Sequence, residues 1–425
     1  MRILVVGSGG REHALVWGLQ RSASAPEVIA APGNPGIATT ARCAPVALDD
    51  PTAVAQLADD LDADLVIVGP EGPLVAGAAE AVRARGRKAF GPDLAAARLE
   101  GSKAWMKVVA AAAGIPTAQH AAFGAGDEQR ALDYLETMPG FYVIKTDGLA
   151  AGKGVLVTES LSEARDTVRA YLAGTAFGDA GRTLVIEEGM TGSELSLLAV
   201  CNGDPDGALP LAPAQDFKRI GENDEGPNTG GMGAYSPVPQ VAPGDEAELM
   251  ETFVFPTLRH LASLGAEYRG VLYAGLMFTP EGPKLVEYNI RFGDPEAQVV
   301  IPRLTSDLAE LLLAAAEGHE LPDPKFSADA CVGVVLAAEG YPVSTRTGDV
   351  IEGLENAAAV NSVTIFHAAT AAGPNDGFLT AGGRVLDVTA TGATITDARA
   401  RAYEAAGRIS WRGIYYRRDI AAHAS

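Results

Sequence analysis

Lys145-Thr146-Asp147-Gly148-Leu149-Ala150-Ala151-Gly152-Lys153-Gly154-Val155 leads from the end of an apolar strand into a loop with three glycines and a second lysine. Glycine lets backbone N–H groups come close to phosphate oxygens, and each lysine ammonium offsets charge on a polyphosphate, so the run predicts a phosphate cradle. It is not a Walker A loop, because Gly152-Lys153 is followed by Gly154 where that loop needs Ser or Thr. A hairpin with two solvated lysines fits the same residues.

The segments on either side differ in texture. Residues 117–189, which contain the run, read as a compact α+β unit with strands at 142–145, 154–158 and 183–188 around a helix at 161–172, and a helix at 102–113 precedes it. Residues 1 to about 100 alternate apolar runs at 3–6, 28–31 and 65–68 with helical patterns at 11–20 and 74–85. That alternation predicts parallel βαβ units, and the Gly/Pro turns at 31–36 and 69–73 follow directly on strands, where open α/β sheets bind ligands. After the α+β unit, 195–201, 270–278 and 283–290 read as antiparallel strands, and 245–264 and 304–317 as helices. The tract at 320–324 has linker character, and the remainder holds several strands and a helix at 396–407.

Three further clusters carry chemistry. Glu287 and Asn289 alternate with Tyr288 along a strand, so their side chains share a face, and a carboxylate beside an amide oxygen suits a magnesium ion that also holds phosphates. The wet side of a half-exposed sheet has the same pattern, but the turn Arg291-Phe292-Gly293-Asp294-Pro295-Glu296 adds a guanidinium and two carboxylates, and arginine can grip a carboxylate substrate bidentately. Gln215-Asp216-Phe217-Lys218-Arg219 precedes Gly226-Pro227-Asn228-Thr229-Gly230-Gly231-Met232-Gly233, a glycine-dense loop of the kind that serves function in a compact domain. Gly7-Ser8-Gly9-Gly10-Arg11-Glu12-His13 sets glycines between a strand and a helix start, an anion-binding geometry; Glu12 stands where a dinucleotide fingerprint needs glycine. His13, with no acid to partner it, reads as a packing or capping residue.

Composition excludes several classes of function. At 425 residues the chain exceeds one ordinary core and predicts two to four domains of roughly 100–200 residues. Its net charge of −21 argues against generic binding to nucleic acid or an anionic membrane, so any phosphate site is local. Cys43, Cys201 and Cys331 are odd in number and lack CxxC spacing, which predicts no disulfide framework or cysteine zinc site and fits a reducing cytoplasm. No apolar stretch reaches the roughly 18–20 residues that span a bilayer.

Taken together, GSGGREHA at 7–14, APGNPG at 31–36, GPEGPL at 69–74, GSKAWMK at 101–107, the cradle at 145–155, QDFKR at 215–219, GPNTGGMGAYSP at 226–237, YAGLM at 273–277, VEYNIRFGDPE at 286–296 and GGRVL at 382–386 resemble the glycinamide ribonucleotide synthetases (phosphoribosylamine–glycine ligases) of the ATP-grasp superfamily. The resemblance implies an α/β and α+β multidomain chain: a Rossmann-like preATP-grasp domain at 1–101, an ATP-grasp core at 102–322 with a mobile lid at about 117–189, and a small C-terminal domain at 323–425. It implies that Lys103, Lys145, Gly148, Gly152, Lys153 and Gly154 meet ATP phosphates, that Glu187 and Glu188 form the adenine hinge, and that Glu194 binds the ribose. The hinge continues Gly189-Met190, where relatives often carry a bulkier residue. Glu287 and Asn289 would hold Mg2+ or Mn2+. Gly9, Gly10, Arg11, Glu12, Asp216, Lys218, Asn228, Thr229, Gly230 and Asp294 would face phosphoribosylamine and glycine, with Arg291 and Lys145 as catalytic residues. The implied chemistry is attack of the glycine carboxylate on ATP, giving glycyl phosphate and ADP, followed by amide formation with phosphoribosylamine. The implied enzyme is a cytoplasmic monomer acting on small molecules. A related ligase with another acceptor, a nicotinamide-dependent oxidoreductase and a nucleotide sensor are the rival expectations; the 226–237 loop speaks against the first, and the missing third glycine together with the second cradle against the second.

Overall fold

The computed structural model describes residues 1–149, 154–174, 183–242 and 244–424. Ile3, Leu4, Val5 and Val6 are fully buried, as expected for a strand covered on both faces, and Arg2–Gly7 is the middle of a five-stranded parallel sheet. Its order is Arg42–Cys43, Glu27–Pro32, Arg2–Gly7, Leu65–Val68, Lys88–Phe90. The order of succession switches sides at Arg2–Gly7, with Glu27–Pro32 on one side and Leu65–Val68 on the other, so the turns after Gly7 and Val68 flank a crevice beyond the strand ends.

Tyr142–Thr146 and Val155–Thr158 form a hairpin in an antiparallel sheet with Leu184–Glu188 and His120–Phe123. The helices Glu128–Leu135 and Leu161–Leu172 close it with a separate hydrophobic cluster that includes Phe123, Leu135, Ile144, Val168 and Ile186. The next sheet runs Leu209–Pro210, Ser193–Asn202, Arg269–Thr279, Gly282–Asn289. Its register pairs Ser196 with Gly275, Gly275 with Glu287, and Tyr273 with Asn289, so these residues and Glu194 stand on one face. A fourth sheet joins regions far apart in sequence: Gln215–Asp216 and Gly233–Ser236 share it with Ala330–Ala337, Arg384–Gly392 and Val363–His367. Strands from both sides of residue 322 therefore belong to one sheet.

Three expected helices differ from the structure. The pattern over 74–85 is two helices, Glu71–Val75 and Ala78–Ala84, broken where Gly77 takes the left-handed conformation at φ +94°. The span 245–264 contains a π turn at Met250–Val254, followed by Phe255–Ser263 with Pro256 at its start; proline lacks the N–H that a regular helix would use there. The helix placed at 304–317 begins at Leu308, because the Asp307 carboxylate accepts the Glu310 N–H at 3.0 Å and caps it. Among the described residues no helix is long and apolar enough to cross a membrane.

Candidate active site

Tyr273, Glu287 and Asn289 of the same-face row on the antiparallel sheet form the floor of a cavity of about 390 Å³, walled by the N-terminal crevice, the hairpin of the 117–189 unit, the 229–230 turn and Arg384. Lys103 begins the helix Lys103–Ala112, whose N-terminus is capped by Ser102. The start of the glycine loop is tied to that terminus: Asp147 accepts the Ala104 N–H at 3.1 Å and the Ser102 hydroxyl at 3.0 Å, and Lys103 donates to the Gly148 carbonyl at 3.0 Å. Burial pushes the Lys103 ammonium down. Gly148 has φ +90°, and Gly154 lines the cavity. Gly152 and Lys153 lie outside the described residues.

Beneath this loop sits a buried ionic cluster. Lys145 lies 3.0 Å from Glu187 Oε1 and donates to the Val286 carbonyl, while Lys107 lies 3.2 Å from Glu187 Oε2 and donates to the Thr117 hydroxyl at 2.7 Å. Thr117 in turn donates to the Leu285 carbonyl at 2.7 Å. Burial pushes the Lys107 ammonium down to about 8, and burial of Glu187 is outweighed by Lys145 and Lys107, which hold its carboxyl low. Glu187 therefore joins the sheet of the 117–189 unit to the core by clamping two lysines, and it is not part of the cavity lining. Glu188 instead accepts the Gln119 N–H at the adjoining strand.

Arg291 organises the other end. Its guanidinium reaches Glu71 at 3.2 Å, Glu100 at 2.7 Å and Asn289 Oδ1 at 3.1 Å, which binds the N-terminal domain to the metal-candidate pair. Burial would push the Glu71 carboxyl up, but Arg291 and Arg11 outweigh it and bring it to about 2; Glu100, more deeply enclosed, is raised by burial. Glu287, opposed by burial, is held low by Lys145, Lys218 and Lys103. Asp216 is pushed up to about 6 by burial despite Lys218 3.0 Å away, and Lys218 also pairs with Glu194. Glu194 accordingly sits behind Lys218, and it is not among the residues that line the cavity.

The turn at 226–231 is fixed from two sides. Thr229 donates its N–H and hydroxyl to the Lys218 carbonyl at 2.7 and 2.9 Å, and Gly230 donates to the Tyr341 hydroxyl at 3.0 Å. Arg384 donates to the carbonyls of Gly230 at 2.6 Å and Asp294 at 2.7 Å. Burial would raise the Asp294 carboxyl, yet Arg384 and Arg11 keep it low. Asn228 bridges the backbone of Arg219 and does not line the cavity.

The N-terminal glycine turn departs most from expectation. The Gly9 N–H donates to Glu12 Oε2 at 2.6 Å, so the anion at this helix start is the chain's own carboxylate. A Cβ at Gly7 would meet Glu12 Cγ at 2.5 Å, and one at Gly69 would fall onto the same carboxylate; one at Gly10 would meet Gln298 at 2.6 Å. These glycines make room for side chains. Arg11 is 6% exposed and donates to Glu12 at 2.6 Å and to the Phe292 carbonyl at 3.1 Å, holding the N-terminal domain to the core while one side of it lines the cavity. His13 accepts the His367 N–H at 2.8 Å, and burial pushes its imidazole down to about 3, a packing role.

Arg11, Lys103, Gly154, Asp216, Lys218, Thr229, Gly230, Glu287, Asn289, Arg291 and Asp294 thus meet at one cavity. Sequence reasoning missed Glu100, Tyr273, Tyr341 and Arg384 there, and Lys107 beneath it. Arg384 and Lys107 lie inside quoted motifs, so a charged residue within an apolar strand or helix was the available signal.

Comparison with known proteins gives a consistent result. The sequence matches the profiles of the phosphoribosylglycinamide synthetase N domain over 1–100, the ATP-grasp (A) domain over 101–297 and the C domain over 331–423. A protein of Brucella melitensis called phosphoribosylamine–glycine ligase is 48% identical over 422 residues, covering 99% of this chain and 97% of the relative. One of Escherichia coli O157:H7 with the same name is 47% identical, covering 99% and 98%. The crystal structure of phosphoribosylamine–glycine ligase from Thermotoga maritima superposes with a TM-score of 0.86 at 33% identity, covering 99% of this chain and 100% of that one. The biotin carboxylase domain of Hydrogenobacter thermophilus 2-oxoglutarate carboxylase shares the fold at 15% identity, with a TM-score of 0.74 over 98% of this chain and 91% of that one.

Proposed function

The chain belongs to the phosphoribosylglycinamide synthetase family and is an ATP-grasp ligase of purine biosynthesis that joins glycine to 5-phosphoribosylamine, and we propose that it does so through glycyl phosphate with the roles given next. The observation that carries these roles is the convergence of Lys103, Lys218 and Arg291 on the floor that presents Glu287 and Asn289. Lys103 and Lys145, with the glycine loop, contact the ATP phosphates. Lys218 and Arg291 align the glycine carboxylate on the γ-phosphorus. One carboxylate oxygen bonds to phosphorus as the bond to ADP breaks; the phosphoribosylamine nitrogen then bonds to the glycyl carbonyl carbon, the bond from that carbon to the phosphate oxygen breaks, and phosphate departs with that oxygen and takes up the proton the nitrogen loses. Alignment and charge neutralisation are what such transfers need, and fixed cations in an enclosed site supply both.

Glu287 and Asn289 fit a hard divalent cation: they offer two oxygens side by side, and Glu287 forms no ion pair among the described residues. They are the residues that would hold Mg2+ or Mn2+, which when bound offsets phosphate charge. Free thiols at Cys43, Cys201 and Cys331 support a reducing cytoplasm, and the roles assigned here call only on residues of this chain, which is compatible with a monomer working on small molecules.

ADP release tests the assignment, measured with glycine and phosphoribosylamine each omitted in turn and with Glu287→Ala. Full release is expected only with both substrates, and the variant should lose turnover while its thermal midpoint stays near wild type. Unchanged ADP release without glycine would defeat the substrate assignment, and an active variant would defeat the metal assignment.

A further inference from the structure

Most carboxylates lining the cavity already have a cation. Glu71 and Glu100 are paired with Arg291, Asp216 with Lys218, and Asp294 with Arg384. Two form no ion pair among the described residues: Glu287, assigned above to a metal, and Glu296. Glu296 is only 2% exposed; Arg291 and Arg384 are near enough to feel its charge but neither touches it, so a buried carboxylate there lacks a direct counter-ion that a ligand could supply.

Its geometry is that of a built receptor. Ser196 and Tyr273 both donate to Oε1, at 3.0 and 2.7 Å, and their own hydroxyls lie 2.9 Å apart. No hydrogen bond reaches Oε2 among the described residues, and that oxygen lies against Gly293, where any side chain would overlap it. Ser196 and Tyr273 stand on the same sheet face as Glu287 and Asn289, with Tyr273 directly across from Asn289. The free oxygen is therefore anchored beside the place where phosphate and carboxylate react.

An ammonium group is the ligand this oxygen suits, because it brings one positive charge and three donors and needs acceptors alone. Glycine reacts through its carboxylate while its ammonium must be held away from the phosphorus. We propose that Glu296, fixed by Ser196 and Tyr273, binds the ammonium of glycine and so selects an amino acid over a simple carboxylate. The inference rests on the glycine-ligase assignment above.

The test is steady-state kinetics of Glu296→Gln, an isosteric change that still accepts from Ser196 and Tyr273, on protein whose thermal transition matches wild type. KM for glycine should rise on the order of tenfold to a hundredfold, the loss of one charge-assisted contact, while KM for ATP and for phosphoribosylamine stays within about twofold. Glycolate, with a hydroxyl in place of the ammonium, should inhibit wild type far more weakly than glycine binds, and that gap should narrow in the variant. A fall in kcat with glycine KM unchanged would overturn the proposal and make Glu296 a proton acceptor for the attacking amine; no change in either would make it a packing residue. Should Glu296→Gln not fold, Tyr273→Phe removes one of the two orienting hydrogen bonds and should raise glycine KM alone, and an unchanged value there overturns the proposal. Wild-type protein that turns over without glycine would defeat the ligase assignment instead, whatever the variants do.

Discussion

Asp387 is a buried carboxyl 2% exposed on the strand Arg384–Gly392, behind the Asp294 and Arg384 pair. Thr389 donates to its Oδ1 at 3.2 Å, and its Oδ2 has no hydrogen-bond partner. Burial first, and the charge of Asp294 second, push it from an ordinary 3.8 up to about 7. Below the lower value it is protonated in both folded and unfolded chains and costs nothing. Between the two values the folded chain keeps a proton that the unfolded chain has released, so stability falls as pH rises; above about 7 the loss is constant. Asp387→Asn should therefore resemble wild type in acid and exceed it at pH about 8, by on the order of 2–4 kcal/mol. Thermal unfolding of both proteins across that range checks this, and parallel pH profiles would contradict it.

At the scale of elements, the joint between the sheet of the 117–189 unit and the core rests on Lys107, one helical turn beyond Lys103, which reaches Glu187 on the strand Leu184–Glu188. Removing one member of a buried ion cluster leaves its partner short of counter-charge, a loss of about 3–5 kcal/mol. Lys107→Met should lower the thermal midpoint and raise KM for ATP, since Lys145 shares Glu187 and would shift with it. A variant of unchanged midpoint and unchanged ATP KM would show that the cluster neither holds the joint nor aligns Lys145. The strands here were legible because apolar runs and their period are local properties; Leu65–Val68 and the helix Leu161–Leu172 lie where the pattern put them. Helix interruptions were less so. Gly77 and Pro256 sit inside apolar-periodic spans, and period alone does not register a backbone break. Glu287, Asn289 and Arg291 were legible as a cluster because they are neighbours in sequence. Glu100 and Arg384 were not, since only the fold brings them to Arg291 and Asp294.

Across the whole molecule, ends distant in sequence are fastened around one cavity. The turn at 31–36, which follows a strand where open α/β sheets bind ligands, also serves as a joint: Asn34 donates to the carbonyls of Ser8 at 2.8 Å and His367 at 2.9 Å, and a Cβ at Gly36 would overlap the His367 side chain. His13 and Phe366 meet edge to face in the same contact. With the sheet shared across residue 322, this joint carries Arg384 and Tyr341 to the turn at 229–230 and keeps the N-terminal crevice over the Glu287 face. Those constraints converge on a single chemical claim, that a glycine carboxylate oxygen attacks the γ-phosphorus of ATP within this cavity. Glycine labelled with 18O in its carboxylate tests it most directly, with the phosphate released in the presence of ATP and phosphoribosylamine analysed by mass spectrometry. One 18O atom per phosphate is the predicted result; phosphate free of label would contradict the glycyl phosphate route and the assignment of the cavity that depends on it.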